Sequence, residues 1–398
     1  MPQEWIFGVA VALATNAGAF VVLSLAVSAI PLAILASIYG RARAIASPAA
    51  GGIVVLVCGV ALLESFGARA QVLGWGALAA FVAFLERRDR WYYAAFPTAV
   101  VWANLHASVA LAPVLVLARL AATLVDGGSS AVRRSRDLPM LGAVALAMFC
   151  TPFGWRLPYL ALTLATSPIR HYIQEWQPPN LHDASFVYGA LPIALLILAG
   201  KRATLAGLKQ QSFPAMLMFV AALLAFRNTA LFAIVAAPLA ARGLDAIVPR
   251  IGAADAKARE LEPVALVAIV LAIAGSAFGL ARIQAHEPPP LPGAAIASLA
   301  RDRAGHRLFC ENFTWCSMAL QYPNLRVFID GRCDGYPLDV WRQYVTTMEM
   351  RPSWRAPLVR YRVDSVLAQR GSPLATALDR SQAWHTAFSD RRFVLFRS

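Results

Sequence analysis

"AGAFVVLSLAVSAIPLAILASIYGRAR" runs from Ala17 to Arg43. Its first 24 residues, 17–40, carry no ionisable side chain, and Arg41 and Arg43 then follow within three positions. A helix rising 1.5 Å per residue needs about 20 apolar residues to cross the roughly 30 Å hydrocarbon layer. This stretch meets that requirement and ends on cations of the kind that hold a span's cytoplasmic end. Pro263 to Leu280 is a second run of the same kind. The whole chain agrees with them: 15% of its residues are charged, against about a quarter in soluble domains, and its mean hydropathy is +0.57.

Working outward, apolar crossings are expected at about 18–40, 49–65, 71–85, 92–104, 107–125, 138–152, 187–200, 213–226, 228–241 and 263–284. Alternate loops carry Arg41/Arg43, Arg87/Arg88/Arg90, Arg133/Arg134/Arg136, Lys201/Arg202/Lys209, and the stretch from Arg242 to Arg259. The intervening loops hold only Arg69, Arg156, Arg170 and Arg227. The basic set is therefore expected in the cytoplasm, and Arg119 is expected to snorkel toward it. Net charge is +14, divided as +9 over residues 1–284 and +5 over residues 285–398. Because most of the first share sits in short loops, it reports orientation, and no nucleic-acid partner is expected.

After "HEPPPLPG" (His286 to Gly293) the pattern changes. The β-type runs "RLFCEN", "RVFIDGR", "DSVLAQ" and "RFVLFR" alternate with helical stretches at 338–350 and 373–379. The expected fold class is an α-helical polytopic membrane protein with about 10 apolar crossings over residues 1–284. A small C-terminal α/β extracytoplasmic domain with a partly parallel sheet follows over residues 285–398. The extreme N-terminus also falls outside on this topology. "MPQEW" lacks the basic start of a signal peptide, so a further span ahead of Met1 is expected.

Cys58 and Cys150 lie in apolar runs and read as small hydrophobes. Cys310 and Cys316 stand six apart, where either a disulfide or two free thiols fits. In "FIDGRCDGY", Asp330, Arg332 and Asp334 occupy alternate positions after a strand, and a structural turn is the preferred reading.

Lonely polar residues collect on the outer side of this topology. They are Glu4 beside Trp5, Glu64 with Arg69, Asn104, His106, Arg156, Arg227 with Asn228, and the loop "TSPIRHYIQEWQPPNLHD" (Thr166 to Asp183). Ionisable groups at the ends of apolar spans are costly unless they pair or line a wet cavity. An outward-facing polar cavity is therefore expected, capped by the 153–186 loop and flanked by the C-terminal domain. Plainer readings compete: Glu64 and Arg69 as a local ion pair, Arg227–Asn228 as an interfacial turn, Asn104 as a helix cap. His106 fits a cap less well. A helix through 168–176 would place His171 and Glu175 on one face beside Arg170, with Pro168 starting it and Pro178–Pro179 ending it. His171, His182, Glu175 and Asp183 match no standard metal spacing, so no metal is expected.

"VWANLHASVALAPVLVLA", "TPFGWRLPYL", "SPIRHYIQEWQPPNLHD", "AFRNTALFAIVAAPLAA" and "ENFTWCSMALQYPNLRVFIDGRCDGYP" carry a resemblance over nearly the whole chain. The chain is similar to a large bacterial family of multi-pass membrane proteins described as GT-C-type glycosyltransferases, which resemble lipid-linked sugar transferases of the protein O-mannosyltransferase kind. Cys316 and Ser317 stand where that family usually has glycines. Its members carry a span and an acidic loop before a Glu-Trp pair like Glu4–Trp5, and this sequence starts at that pair.

The resemblance implies transfer of a sugar from a polyprenyl-phosphate donor on the outer face of the bacterial cytoplasmic membrane, with membrane lipids as partners. Glu4, Glu175 and Asp183 are the candidate catalytic carboxylates. Arg69, His106, Arg156, Arg170, His171, Trp176, Arg227 and Asn228 are the candidate substrate contacts, the cations among them facing the phosphate. Trp5 and Trp155 are further stacking candidates. The sequence names no cofactor. The alternative is a non-catalytic scaffold or binding subunit whose α/β domain contacts a partner. A transporter fits less well, because the ionisable residues gather at one face and not at the midplane.

Overall fold

The computed structural model describes residues 4–16, 20–62, 70–166, 173–205, 208–249, 291–302, 304–331 and 336–398. The chain forms two compact units, 1–271 and 272–398, whose division falls among residues outside the described ones.

The first unit is helical. Its helices are α1 (Trp5–Asn16), α2 (Phe20–Arg43), α3 (Pro48–Ala61), α4 (Ala70–Leu85), α5 (Ala95–Leu105), α6 (Leu111–Arg134), α7 (Asp137–Ala147), α8 (Arg156–Thr166), α9 (Leu191–Ala199), α10 (Lys201–Thr204), α11 (Lys209–Leu224) and α12 (Thr229–Ile247). Among the described residues, three helices are long and apolar enough to cross a membrane: Leu25–Arg43, Ala107–Arg134 and Phe226–Ile247. The other expected crossings in the described region coincide with shorter helices, so the count of about ten is not established. The expected crossing at 263–284 lies outside the described residues. Helices α1 and α8 had no place among the expected crossings.

Helix α12 is the hub. Nearly every residue from Thr229 to Ala241 is buried, and α2, α3, α4, α9 and α11 pack on it. Its run of alanines suits that place, because small side chains let helix backbones approach closely. At the basic end the unit is tied by charge. Arg41 holds Glu86 through Nε (2.8 Å) and Nη2 (2.7 Å), and donates to the carbonyls of Ile234 (2.6 Å) and Val235 (3.2 Å). Ser47 caps α3 by accepting from the Ala50 N–H at 3.2 Å, and its own N–H and hydroxyl both reach Asp245 of α12 at 2.6 Å.

Arg119 corrects an expectation. It does not snorkel; it is buried, with Nε 3.2 Å from the buried carboxylate of Asp137. The Tyr92 hydroxyl donates to the same carboxylate at 2.6 Å. A carboxylate supplied by α7 is a closer partner than the membrane interface, and satisfying it in place avoids leaving a buried charge unpaired.

The second unit is α/β. Its elements are α13 (Gly293–Ala300), β1 (His306–Cys310), α14 (Phe313–Cys316), β2 (Leu325–Val327), α15 (Leu338–Met348), α16 (Arg355–Arg360), β3 (Ser365–Gln369), α17 (Pro373–Asp379), β4 (His385–Ser389) and β5 (Phe393–Arg397). The sheet order is β2-β1-β3-β5-β4. β1 runs parallel to β2 and β3, whereas β5 is antiparallel to β3 and β4, so the sheet is partly parallel as the sequence pattern expects. Leu308, Leu367 and Leu395 from the three central strands form the core with Ile296 and Leu299 of α13. Cys310 and Cys316 are joined in a disulfide inside this core, with Cα atoms 5.8 Å apart. Asp330 is fully buried and accepts from the Tyr336 hydroxyl at 2.7 Å, in keeping with a structural turn. Arg332 and Asp334 lie outside the described residues.

Candidate functional site

Two polar clusters of the first unit flank the start of α4. The first centres on Glu4. Helix α5 ends at Leu105, where His106 turns extended (φ −162°, ψ 142°), and a short 3-10 turn, Ala107–Ala110, follows. The imidazole Nδ1 accepts the Ser108 N–H at 3.0 Å and faces the Ser108 hydroxyl at 2.7 Å. Trp102 Nε1, which can only donate, occupies the Ser108 oxygen at 3.0 Å. The ring is therefore neutral, with its proton on Nε2, which points at Glu4 Oε1 at 3.3 Å. The contact is a hydrogen bond into the carboxylate and not an ion pair. Every donor in this relay is directed toward Glu4.

The neighbouring Trp5 is anchored as well. Its Nε1 donates to Asn104 Oδ1 at 3.1 Å, and the Asn104 amide donates to the carbonyls of Val100 (2.9 Å) and Cys150 (2.8 Å). Two expectations are exchanged here. His106 is the residue whose side chain caps a helical turn, while Asn104 bridges α1, α5 and the turn after α7. The reason is the reversal itself: with His106 extended, its ring swings back over the N–H two residues ahead, the geometry of a cap.

Gly74 of α4 makes this approach possible. A Cβ there would sit 2.9 Å from the Ser108 hydroxyl and 3.0 Å from His106 Cβ. No larger residue fits without moving the His106 turn.

The second cluster is a cleft lined by Gln71 and Trp75 of α4, Glu175, Ser185, Arg227 and the first residues of α12, Thr229 and Ala230. Gln71 and Trp75 share one face of α4 at the i, i+4 spacing. The Phe226 N–H donates to the Gln177 carbonyl at 2.8 Å, which ties the turn Gln174–Trp176 to the turn Phe226–Asn228. The Arg227 guanidinium consequently lies 4.5 Å from the centre of the Trp176 ring. Ser185 precedes a π-helical turn, Phe186–Ala190. Gly189 in that turn packs so closely that a Cβ would fall 2.7 Å from the Ala61 backbone, and this brings Ser185 against the end of α3.

Ser185 and Thr229 are 4% and 2% exposed, and neither hydroxyl has a hydrogen-bond partner among the described residues. A buried hydroxyl without a partner costs about 1–3 kcal/mol. Two of them beside Glu175, Arg227 and the positive end of a 19-residue helix form a surface prepared for a polar ligand.

The other candidates separate from these clusters. Asp183 accepts from the Asn180 N–H at 2.7 Å and shapes its own turn, outside the cleft lining. Arg156 is exposed at the start of α8, and Trp155 is exposed against Tyr159 with ring centres 5.8 Å apart. Asn228 donates to the Ala221 carbonyl at 2.9 Å and so serves the end of α11. Glu64, Arg69, Arg170 and His171 lie outside the described residues. The helix expected through 168–176 is corrected at its described end: Ile173 is not helical and Gln174–Trp176 is a 3-10 turn. The Pro178–Pro179 pair pushes the preceding residue out of the helical region, and the tie to Phe226 holds it there. Among the described residues no group of three metal-ligating side chains exists. The sequence pattern does not single out Ser185 or Thr229 as site residues.

No family model matches the chain, and no curated protein matches it. Solved structures do. The chain is similar to ArnT from Cupriavidus metallidurans in the apo state, with a TM-score of 0.54 and 16% identity over 94% of this chain and 83% of that one. It is similar to the same protein bound to undecaprenyl phosphate, with a TM-score of 0.53, 16% identity and the same coverage. At this identity the likeness establishes the fold, an ArnT-like membrane architecture.

Proposed function

We propose that this chain is a membrane glycosyltransferase of the GT-C type, moving a sugar from a polyprenyl-phosphate carrier to an acceptor at the outer face of the bacterial cytoplasmic membrane. The observation that carries the reading is the cleft in which Arg227, Glu175 and two buried hydroxyls without a partner among the described residues meet at the start of α12. The ArnT-like fold supports it, since one ArnT structure holds undecaprenyl phosphate.

The chemistry divides between the two clusters. The acceptor's hydroxyl oxygen attacks the anomeric carbon, the carbon–oxygen bond to phosphate breaks, and polyprenyl phosphate leaves with the electron pair. Glu4 is the base that takes the hydroxyl proton: its carboxylate is half-exposed and is steadied by the His106 N–H. Arg227, with Ser185, Thr229 and the α12 N-terminus, binds the phosphate and stabilises the charge that grows on it. Glu175 lies beside Arg227 to orient it or to accept a sugar hydroxyl, and Trp176 backs the guanidinium.

The test is transfer from a radiolabelled polyprenyl-phosphate hexose in membranes containing the full chain. Glu4→Gln and Arg227→Ala should each lower turnover by about a hundredfold or more, the order expected for losing a positioned base or a charge-stabilising donor, with membrane insertion unchanged. Undiminished transfer in both variants would remove the catalytic assignment and leave a binding or scaffold protein.

A further inference from the structure

The second unit carries an unbalanced charge on one face of its sheet. Leu308 and Cys310 of β1, with Leu325 and Val327 of β2, turn toward the core built on α13. Alternation therefore sends Arg307 and Arg326 to the opposite face, the face of Phe309 and Phe328. The parallel register sets Arg307 directly beside Arg326, and the Phe309 and Phe328 rings meet with centres 5.2 Å apart. Neighbouring strands lie about 4.8 Å apart, so two like charges occupy adjacent places on one face. Like charges set side by side destabilise a sheet unless something neutralises them.

Arg307 is exposed yet tethered: its Nη1 donates to the Tyr361 carbonyl at 3.0 Å. Tyr361 closes α16 and packs edge-on against Phe328 with ring centres 4.8 Å apart. The Arg360 guanidinium lies 5.8 Å from the centre of the Tyr361 ring. Arg326 and Arg360 are exposed as well. The ion pairs of this unit join Asp302 to His306 and Arg397, Asp364 to His306, and Glu349 to Arg351. Among the described residues they leave Arg307, Arg326 and Arg360 without a carboxylate. Asp364, just before β3, is engaged elsewhere. Its oxygens accept the Arg307 backbone N–H at 3.1 and 3.2 Å and the Ser365 hydroxyl at 2.7 Å.

An arginine on an edge strand keeps that edge from pairing with another chain, and Arg326 alone would need no other account. Arg307 stands on the strand inside it, where no edge needs guarding, and the Tyr361 carbonyl holds its fork in place. Two adjacent guanidinium groups present N–H donors to a single tetrahedral anion. Charge decides the class of that anion. A phosphate monoester carries about −1.5 to −2 at pH 7 and balances both arginines, whereas a diester or a carboxylate balances one.

We propose that Arg307 and Arg326 form a binding site for a phosphate monoester, with Arg360 beside Tyr361 adding to its field. The site belongs to the second unit and requires no transferase activity.

The full chain in phosphatidylcholine nanodiscs is modified with phenylglyoxal at about pH 8, where a monoester is close to a dianion. Peptide mapping by mass spectrometry reads the rate at each arginine, with exposed Arg380 of the same unit as the reference. Methyl phosphate is the soluble probe, dimethyl phosphate the singly charged one, and phosphatidic acid in the nanodisc the membrane-borne one. At about four times its dissociation constant, methyl phosphate should slow modification of Arg307 and Arg326 about fivefold, as mass action sets, and leave Arg380 unchanged. Dimethyl phosphate should need a concentration about tenfold higher, the worth of one charge-assisted hydrogen bond. Protection by phosphatidic acid assigns the monoester to a lipid headgroup; protection by methyl phosphate alone assigns it to a soluble or glycan-borne one. Arg326→Gln should restore the free rate at Arg307. Arg326 has no hydrogen bond or ion pair among the described residues to lose, so this variant keeps its fold. Persistent protection of Arg307 in Arg326→Gln, equal protection by monoester and diester, equal slowing of Arg380, or no protection by either monoester each overturns the proposal.

Discussion

Arg41 donates from Nη1 to the carbonyl of Ile234 at 2.6 Å, the carbonyl that Pro238 leaves without a helical donor. One guanidinium thereby repairs a proline gap in the hub helix and neutralises Glu86 in the same place. Arg41→Ala should destabilise the unit by about 3–5 kcal/mol, because it strands a part-buried carboxylate and a buried carbonyl together. Adding Pro238→Ala restores the missing N–H and should recover part of that loss. The check is the melting midpoint of the single and double variants. A double variant no more stable than Arg41→Ala alone would show that the carbonyl contact contributes nothing.

The cleft hydroxyls make a prediction of opposite sign for stability and for binding. Ser185 and Thr229 satisfy no protein group among the described residues, so Ser185→Ala and Thr229→Val remove a desolvated hydroxyl and break no hydrogen bond. Each should leave the melting midpoint unchanged or raise it by up to about 1 kcal/mol equivalent. Each should also weaken the donor's apparent affinity by roughly five- to thirtyfold, as loss of one hydrogen bond to a charged phosphate requires. Titrating polyprenyl-phosphate hexose in the transfer assay separates the two effects. A drop in stability with unchanged affinity would return the hydroxyls to a packing role.

Much of this was legible in the sequence, and the misses have physical causes. The runs around Leu308, Leu367 and Leu395 announced three strands because the alternate residues Phe309, Val366 and Phe396 are buried as well, so each run is apolar throughout. Strand β4, His385–Ser389, went unread because it is an exposed edge, with no buried face to impose alternation. Glu4, Glu175 and Arg227 stood out because a lone charge at the end of an apolar helix is expensive. Ser185 and Thr229 did not, since a hydroxyl in an apolar stretch is common and usually finds a backbone carbonyl. Whether it does is decided by packing, here by the contact of Gly189 with Ala61. His106 and Asn104 exchanged roles because a cap depends on which residue the reversing chain leaves extended.

The C-terminal unit carries an acid-sensitive clip. Asp302 accepts from the Ala304 N–H, and it also faces His306 at 3.2 Å and Arg397 at 3.1 Å. These contacts, the Ala304 N–H first, hold its carboxyl below the ordinary value of 3.8. A depressed folded-state pKa contributes stability that is present above the unfolded value and lost as pH falls through the folded one. Thermal unfolding of the full chain, followed between pH 6 and pH 3, should therefore steepen below about 4 in the wild type. The change should be shallower in Asp302→Asn. Identical acid limbs in the two proteins would remove Asp302 from the clip.

Gly74 offers the sharpest separation of fold from activity. Its Cα lies beneath the His106 turn, and a methyl group there would meet the Ser108 hydroxyl at 2.9 Å and His106 Cγ at 3.1 Å. Those atoms belong to the segment that aims the imidazole at Glu4. Gly74→Ala also gains helix propensity, which offsets part of an overpacking cost of about 1–3 kcal/mol. The expected outcome is a modest change in melting midpoint with transfer reduced at least tenfold, because a shift of about 1 Å in a positioned base costs that much or more. The loss should appear in kcat, since Glu175, Ser185, Arg227 and Thr229 of the donor cleft come from segments other than α4 and are left in place. His106→Gln in the wild-type background supplies the comparison: Nε2 of the amide can still donate toward Glu4, so it should retain more activity than Gly74→Ala. If Gly74→Ala instead raises KM alone, the His106 turn serves binding and Glu4 is not the base.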